Sequence, residues 1–344
     1  MENRPIVSII VPVFNMGQFL NRAIDSFLSQ TEENIEIIIS DNHSTDNTGQ
    51  IASRYEDSRI RYYRNDSNIG MVNNWNNGMK LAKGKYITLI SCDEFMVGKD
   101  SLRKRLDLLE GAQEIDLVWC DYNLETMNGE IVTFKMKYPS KNILSGAEGI
   151  QAVYDDIYCT GFRITTVIFR KQILDVSNYT IPLVHSGDRQ AVLHWMLLSR
   201  NVAFVPEVLH CSYMHTDHRH DFFGRKRPYI GERDYLTLRF IDDHAPMLIA
   251  MGLSIDKLEF ANLKQLGMQW LRMPMDEFSN FYFYGNYFWY RLIKLLLRKL
   301  LLIIFFPIFF LLKLMQISWI KLRNSLAKIS LLKKIYHRYK STMN

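Results

Sequence analysis

Apolar runs alternate with amphipathic stretches along the first hundred residues of this chain. The run from Ile6 to Val13 is continuously apolar and β-branched, which favours a parallel strand covered on both faces. Between Phe19 and Leu28, apolar residues recur at three- and four-residue spacing, which is typical of a helix packed on one side. The pattern therefore predicts an α/β domain. Further strands are predicted at Ile35–Ser40, Ile60–Tyr63 and Tyr86–Ile90, with a helix through Asn74, Trp75 and Gly78.

Polar side chains follow the predicted strands where each one ends. Asn15 follows the first strand, Asp41 the second and Asp93 the last, and Asp46 can cap the next helix. In open α/β sheets the ligand crevice lies outside the carboxyl ends of the strands, so these side chains should converge. The arrangement favours a site for a nucleotide diphosphate. No Gly-rich phosphate loop follows the first strand, which disfavours a dinucleotide oxidoreductase.

Several short motifs occur in this region. They are Val7–Asn15, Asp41 with Ser44-Thr45-Asp46, Asn68-x-Gly70, Asn76-x-Gly78, Ala82-x-Gly84-x-Tyr86-Ile87 and Ser91-x-Asp93-Glu94. Any one of them alone could be ordinary turn punctuation, but the set is specific. With these motifs the chain resembles the inverting glycosyltransferases of family 2. The resemblance covers about the first hundred residues, continues more weakly to about Cys211, and implies the GT-A fold, a mostly parallel central sheet flanked by helices.

The resemblance also implies roles for individual residues. Pro12, Phe14 and Asn15 would border the nucleotide, and Asp41 would accept a hydrogen bond from the base, which is uracil in most members. Asp93 would hold a divalent cation, Mg²⁺ or Mn²⁺, which neutralises the diphosphate as the glycosidic bond breaks. The other residues expected to contact the nucleotide sugar are Asn42, Asn68, Gly70, Asn74, Ser91 and Cys92.

One departure from the family pattern concerns the metal site. Ser91 stands in the first position of the usual Asp-x-Asp, and Glu94 replaces the commoner trailing Asp. This leaves the strength of metal binding open. Asp93 and Glu94 could also be a solvated strand end that caps a helix.

Asp188 is the candidate catalytic base. It follows Ser186-Gly187 and precedes an apolar helical stretch, which resembles the family's Glu-Asp motif with Gly187 in place of Glu. An inverting transfer needs one carboxylate to take the proton from the acceptor hydroxyl. The alternative is that Asp188 only caps the helix. Asp155-Asp156 is a rival pair, for which a surface turn is favoured.

Histidines cluster at His210, His215, His218 and His220. The spacing of His215 and His218 would allow metal ligation, so His215 is a possible ligand. A positively charged loop over the diphosphate, continued by Arg219 and Arg225, would account for the same residues.

Length and cysteine usage indicate one catalytic domain with an extension. The 344 residues divide into a catalytic domain at 1–221, with a nucleotide-binding half at about 1–95 and an acceptor half at about 96–221, a helical extension at 222–290, and a tail at 291–344. Helices are expected at Tyr229–Ala250 and Leu263–Leu271.

Cys92, Cys120, Cys159 and Cys211 show no paired spacing, which favours free thiols in a reducing compartment. The absence of a recognisable signal peptide places the catalytic domain in the cytoplasm.

The tail differs in charge from the rest of the chain. Residues 291–344 hold 12 Lys and Arg and no acidic residue, so residues 1–290 hold 30 Lys and Arg against 36 Asp and Glu, a net charge of −6. The 13 uncharged residues from Leu300 to Leu312 are too few to span a bilayer. Apolar and basic residues then alternate from Trp319 to Lys340 as in a basic amphipathic helix. An anionic membrane surface is favoured over packing on the protein's own core. Nucleic acid is disfavoured as a partner, because a phosphate-binding arm needs no apolar run.

These features together predict a glycosyltransferase that is peripheral to the cytoplasmic face of the inner membrane. It would transfer a sugar from a nucleotide-diphosphate donor, most often a UDP-sugar, with inversion, to a lipid-linked or surface-polysaccharide acceptor. The hypothesis of another kind is a non-catalytic sugar-nucleotide or glycan-binding subunit of a membrane assembly, suggested by Ser91 and Gly187.

Overall fold

A computed structural model describes residues 4–135, 141–155, 163–177, 187–214, 230–255 and 257–258. The predictions for His215, His218, Cys159, the helix at Leu263–Leu271 and the tail lie outside these residues. Within these ranges, none of the helices is long and apolar enough to cross a membrane.

The first half of the chain alternates strands and helices as its hydrophobic pattern predicts. The elements in chain order are β1 (Val7–Val13), α1 (Gly17–Leu28), β2 (Ile35–Asp41), α2 (Thr48–Ala52), β3 (Ile60–Arg64), α3 (Met71–Lys80), β4 (Tyr86–Leu89) and β5 (Glu94–Met96).

The second half adds longer strands and the helices that cover them. The elements are α4 (Ser101–Gly111), β6 (Ile115–Thr126), β7 (Ile131–Phe134), β8 (Ile143–Ser145), α5 (Gly146–Asp155), a 3₁₀ turn (Ile164–Thr166), β9 (Ile168–Arg170), α6 (Gln172–Ser177), α7 (Gly187–Leu198), β10 (Asn201–Met214) and α8 (Ile230–Ala250). The helix predicted at Tyr229–Ala250 is thus confirmed as α8.

The strands form one sheet in the order β3-β2-β1-β4-β9-β6-β10-β5, with β7 beside β6 and β8 beside β10. β1 to β4 are mutually parallel, and β6 is parallel to β10. The short strand β9 runs antiparallel between β4 and β6, and β5, β7 and β8 also pair antiparallel. The prediction of a mostly parallel sheet was therefore wrong for the second half, where hairpins and short returning strands add antiparallel pairs. The sheet is mixed.

The sheet has an apolar core on each face. Alternate residues of β1 point to opposite sides: Ile9 packs with α1 and α4 on one face, and Ile10 packs with α3, α5, α7 and α8 on the other. Because β9 is antiparallel to both β4 and β6, the carboxyl ends of β1, β2, β4, β6 and β10 all lie at the same edge. The candidate site residues lie at that edge.

Candidate active site

The loops that follow β1 and β2 are joined by hydrogen bonds. Asn15 has a left-handed backbone, with φ of 51°, and its N–H donates to the Ser44 hydroxyl at 2.9 Å. Its side-chain oxygen accepts from the Thr45 N–H at 2.7 Å. The Asn42 N–H donates to the carbonyl of Val13 at 2.9 Å, so the ends of β1 and β2 are held as one unit.

Asp46 stabilises the starts of two helices. One carboxylate oxygen accepts from the Gly17 N–H, the first residue of α1, at 3.0 Å, and the other accepts from the Thr48 N–H at 3.0 Å. Burial raises the pKa of Asp46, but the Thr48 and Gly17 hydrogen bonds outweigh it and hold the pKa below its ordinary value. The predicted cap is confirmed as a contact, although Asn47 occupies the N-cap position of α2.

Asp41 lies almost entirely inside, with 1% of its surface exposed. It accepts hydrogen bonds from the Ser44 N–H at 2.8 Å and the Tyr62 hydroxyl at 2.5 Å, and the Arg64 guanidinium is 3.7 Å away. Burial and then the bond to Asp41 raise the pKa of Tyr62. Both carboxylate oxygens are therefore already in use, and a nucleobase N–H would add to these bonds.

The rim of the crevice is formed by exposed residues at the strand ends. Phe14 is 41% exposed and Asn15 is exposed, whereas Pro12 is buried beneath them. Asn68 and Gly70 are exposed on the facing loop, and Gly70 has φ of 83°, a conformation that favours glycine. Phe14, Asn15, Asn68 and Gly70 are thus placed where a ligand can reach them.

Other predicted contacts lie behind this rim. Asn74 is 2% exposed; its amide donates to the Ser40 carbonyl at 2.7 Å and accepts from the Ser40 hydroxyl at 2.8 Å. Asn42 is 3% exposed, donates to Asn68 at 2.7 Å and accepts from the Ile69 N–H at 2.9 Å. The Asn42 amide fixes the loop that carries Asn68 and Gly70, whereas the Asn74 amide ties α3 to the end of β2, so we expect both to act by positioning the rim.

The turn after β4 presents Asp93 and turns Glu94 inward. Asp93 and Ser91 are half-buried, while Cys92 is buried and burial raises the pKa of its thiol. The Glu94 carboxylate accepts hydrogen bonds from the Ser212 hydroxyl at 2.5 Å and the Thr165 hydroxyl at 3.3 Å. Of the two acidic residues of this motif, Asp93 is the one that a ligand can reach.

Two basic side chains lie beside Glu94. His210 Nε2 and Arg163 Nη1 each lie 3.5 Å from a carboxylate oxygen of Glu94. Burial raises the pKa of Glu94, but His210 and Arg163 outweigh this effect and hold the pKa below its ordinary value. His210 is fully buried. It belongs to the support of the Asp93 turn and not to an exposed histidine cluster.

The donor set at Asp93 fits a cation that also binds the substrate. Among the described residues there is no group of three or more His, Cys, Asp or Glu that could hold a metal by itself. Mg²⁺ commonly binds through one or two carboxylates together with substrate phosphates, so Asp93 alone is compatible with a cation bridged to a diphosphate.

Asp188 lies in the first turn of α7, which begins at Gly187. The predicted helix start is confirmed, and the side chain is half-buried. α7 packs against the 3₁₀ turn that follows Arg163. The rival Asp155 is exposed at the end of α5 and accepts a hydrogen bond from Gln151.

A cleft of about 240 Å³ borders the Asp93 turn on the α1 side of the sheet. Phe19 and Tyr213 line it with ring centroids 5.5 Å apart, and the Arg22 guanidinium lies 3.7 Å above the Phe95 ring. Arg22 also forms an ion pair with Glu125 at 2.6 Å.

Sequence reasoning missed Arg163, Ser212 and Thr165. Their segments carry no family motif, and their approach to Glu94 depends on the pairing of β10 with β5 and on the placement of β9. The three free cysteines that the structure describes, Cys92, Cys120 and Cys211, agree with the expected thiols.

The mixed sheet with helices on both faces is an α/β fold of the GT-A-like type. A crystal structure of Staphylococcus aureus TarS 1–349 in complex with UDP-GlcNAc has a similar fold, with a TM-score of 0.63 and 16% identity over 82% of this chain and 80% of that chain. Residues 8–144 match the family model described as Glycosyl transferase family 2. This match makes residues 8–144 similar to a glycosyltransferase domain of family 2.

Two curated relatives agree with this assignment. The glycosyltransferase GlyG of Streptococcus pneumoniae serotype 4 is 33% identical over 119 residues, which cover 34% of this chain and 39% of GlyG. The Escherichia coli UDP-Glc:α-D-GlcNAc-diphosphoundecaprenol β-1,3-glucosyltransferase WfaP is 40% identical over 92 residues, 27% of this chain and 37% of WfaP. The matches thus span less than half the length of these relatives.

Proposed function

We propose that this protein transfers a sugar from a UDP-sugar, with inversion, to a lipid-linked or surface-glycan acceptor. The domain family supports the reaction class. The name of WfaP specifies a UDP-sugar donor and a diphosphoundecaprenol-linked acceptor, and the TarS crystal holds UDP-GlcNAc. The acceptor class and the donor nucleotide rest on these likenesses.

In the proposed mechanism the rim residues Phe14 and Asn15 bind the nucleotide, and Asp93 faces its diphosphate. Asp188 takes the proton of the acceptor hydroxyl as its oxygen attacks the anomeric carbon opposite the diphosphate. The bond between that carbon and the diphosphate oxygen breaks, and the nucleotide diphosphate leaves with the electron pair. A divalent cation, bound by Asp93, would neutralise charge on the leaving group.

One observation carries this proposal. Asp93 and Asp188 are far apart in sequence, yet α7, which presents Asp188, packs against the 3₁₀ turn that follows Arg163, and Arg163 lies 3.5 Å from Glu94, the neighbour of Asp93 in sequence. A carboxylate suited to the leaving group and a carboxylate suited to the acceptor hydroxyl therefore lie in one neighbourhood, as an inverting displacement requires.

The test is transfer by the purified full-length protein from a panel of nucleotide sugars to a diphosphoundecaprenol-linked sugar, with and without Mn²⁺. We expect one donor to give a glycosylated product of inverted anomeric configuration. Binding of a nucleotide sugar without turnover, for every donor and acceptor in the panel, would instead support the non-catalytic subunit.

We further propose that the tail at 291–344 attaches the protein to the anionic cytoplasmic face of the inner membrane. The support is the uncharged run at 300–312 next to a segment with many basic and no acidic residues. Full-length protein should sediment with anionic vesicles and be released only in part by high salt, since the apolar run resists salt. Complete release, or sedimentation of a chain ended after Tyr290, would contradict the two-part attachment.

A further inference from the structure

Arg163 is placed between the two halves of the site. It directly precedes the 3₁₀ turn and β9, at the sheet edge where the site lies. Its Nη1 donates to the Ser212 hydroxyl at 2.5 Å and lies 3.5 Å from the Glu94 carboxylate. Its Cζ is 5.4 Å from the centre of the Tyr122 ring. The guanidinium thus contacts β5, β6 and β10 at once.

The electrostatic surroundings extend these contacts to α7. Burial lowers the pKa of Arg163. The charges of Glu94, then Tyr122, Asp93 and Asp188, outweigh this effect and hold the pKa above its ordinary value. α7, which carries Asp188, packs against the 3₁₀ turn that Arg163 precedes. Arg163 therefore lies beside the turn that presents Asp93 and directly before the 3₁₀ turn on which the helix of Asp188 packs.

We propose that Arg163 is a positioning residue for the transfer: fixed by Ser212 and Glu94, its guanidinium holds the Asp93 turn and the Asp188 helix start at their working separation. This inference rests on the proposed function. Arg163 belongs to none of the family motifs from which the site was predicted.

Like charges gather around Arg163. The carboxylate of Glu94 lies 3.5 Å from its guanidinium, and the charges of Asp93 and Asp188 also act on it; like charges repel one another unless a cation offsets them. Glu94 also has His210 at 3.5 Å, so loss of Arg163 would still leave it a basic neighbour. Arg163 acts on Asp93 and Asp188 together, and a planar guanidinium with five N–H donors fixes direction as well as charge.

Arg170 provides the matched control, because it lies at the other end of β9. It is 8% exposed and donates to the Ile115 carbonyl at 2.8 Å and to the Tyr86 hydroxyl at 3.2 Å, far from the carboxylates of the site. Arg170→Gln removes a buried arginine of the same segment of the chain without changing the charge at the site.

The first experiment compares Arg163→Gln, Arg163→Lys and Arg170→Gln in the full-length protein. Misplacement of catalytic groups by about 1 Å costs roughly 10²-fold in rate, so Arg163→Gln should lower kcat of transfer by about that factor while KM for the donor changes by less than about threefold. Arg163→Lys keeps the positive charge, so its kcat should be at least about tenfold higher than that of Arg163→Gln. A purely structural role predicts that kcat follows thermal stability in both Gln variants and that Lys restores nothing, which would overturn the proposal.

The second experiment combines Arg163→Gln with Asp188→Asn. If Arg163 acts through the placement of Asp188, the double variant should be little slower than Asp188→Asn alone. Multiplied losses would refute the coupling. Absence of transfer by the wild type with every donor would instead refute the proposed function, so the two failures are distinguishable.

Discussion

The donor side and the acceptor side of the crevice are constructed differently. On the donor side, the loops after β1 and β2 are joined by direct hydrogen bonds, such as that from the Thr45 N–H to the Asn15 side chain at 2.7 Å. Towards the acceptor side, basic side chains from separate elements lie beside a carboxylate: Arg163 and His210 are each 3.5 Å from Glu94. The donor side is therefore a preassembled binding surface, whereas the acceptor side depends on charge balance across the fold.

This contrast predicts that substitutions on the two sides affect different kinetic constants. The largest effect is expected for Asp188→Asn, which keeps the shape of the helix start but removes the base. Transfer should fall by roughly 10² to 10⁴ with the KM for the donor nearly unchanged. Steady-state kinetics would check this, and near-normal turnover would show that Asp188 only caps α7.

Asp93 lies where the two sides meet, and its substitution tests whether it holds a cation. Asp93→Asn should weaken donor binding in Mn²⁺ by about 10- to 100-fold and bring it close to the affinity measured with a chelator. Calorimetric titration with a nucleoside diphosphate would check this. Equal affinity of the wild type in Mn²⁺ and in chelator would mean that basic side chains alone neutralise the diphosphate.

A glycine at the opposite edge of the donor-side strands tests how rigid that half is. A Cβ on Gly84 would lie 2.6 Å from the Ser8 nitrogen and 2.9 Å from the Tyr86 carbonyl, both backbone atoms. Gly84→Ala should lower the free energy of unfolding by about 1–3 kcal/mol. Gly111→Ala, where a Cβ would meet nothing within 4 Å, is the control and should not destabilise. Equal stabilities of the two variants in urea would contradict the close approach.

The acceptor side should also respond to pH through α7 and α8. Burial and then the charge of His244 lower the pKa of His194 to about 4, from the ordinary value of about 6.5 for an exposed imidazole. Between these two pH values the unfolded chain binds a proton at His194 that the folded chain does not. The free energy of unfolding therefore falls as pH drops from about 6.5 to about 4. Above about pH 6.5 this group makes no further change to stability. His194→Gln should reduce this slope of the melting temperature. An unchanged slope would exclude His194 as its source.

The sequence predicted the donor side well because its determinants are local. The polar residues at the ends of β1, β2 and β4, and the Asp46 contact at α2, follow from strand and cap patterns over a few residues. The antiparallel placement of β9 follows no such pattern, since three residues carry little periodicity. Arg163 reaches Glu94 through the placement of β9, and His210 reaches it through the pairing of β10 with β5. Their roles therefore required the structure.

The direct test of the contrast between the two sides is calorimetric binding of UDP, in Mn²⁺, to the wild type, Phe14→Ala and Asp188→Asn. Phe14 is exposed at the rim, so its removal should leave the fold intact and cost roughly tenfold or more in affinity, as loss of an aromatic contact to a base does. Asp188→Asn should bind UDP as the wild type does. Equal weakening by both substitutions, or by Asp188→Asn alone, would contradict a donor surface that is complete without the acceptor side.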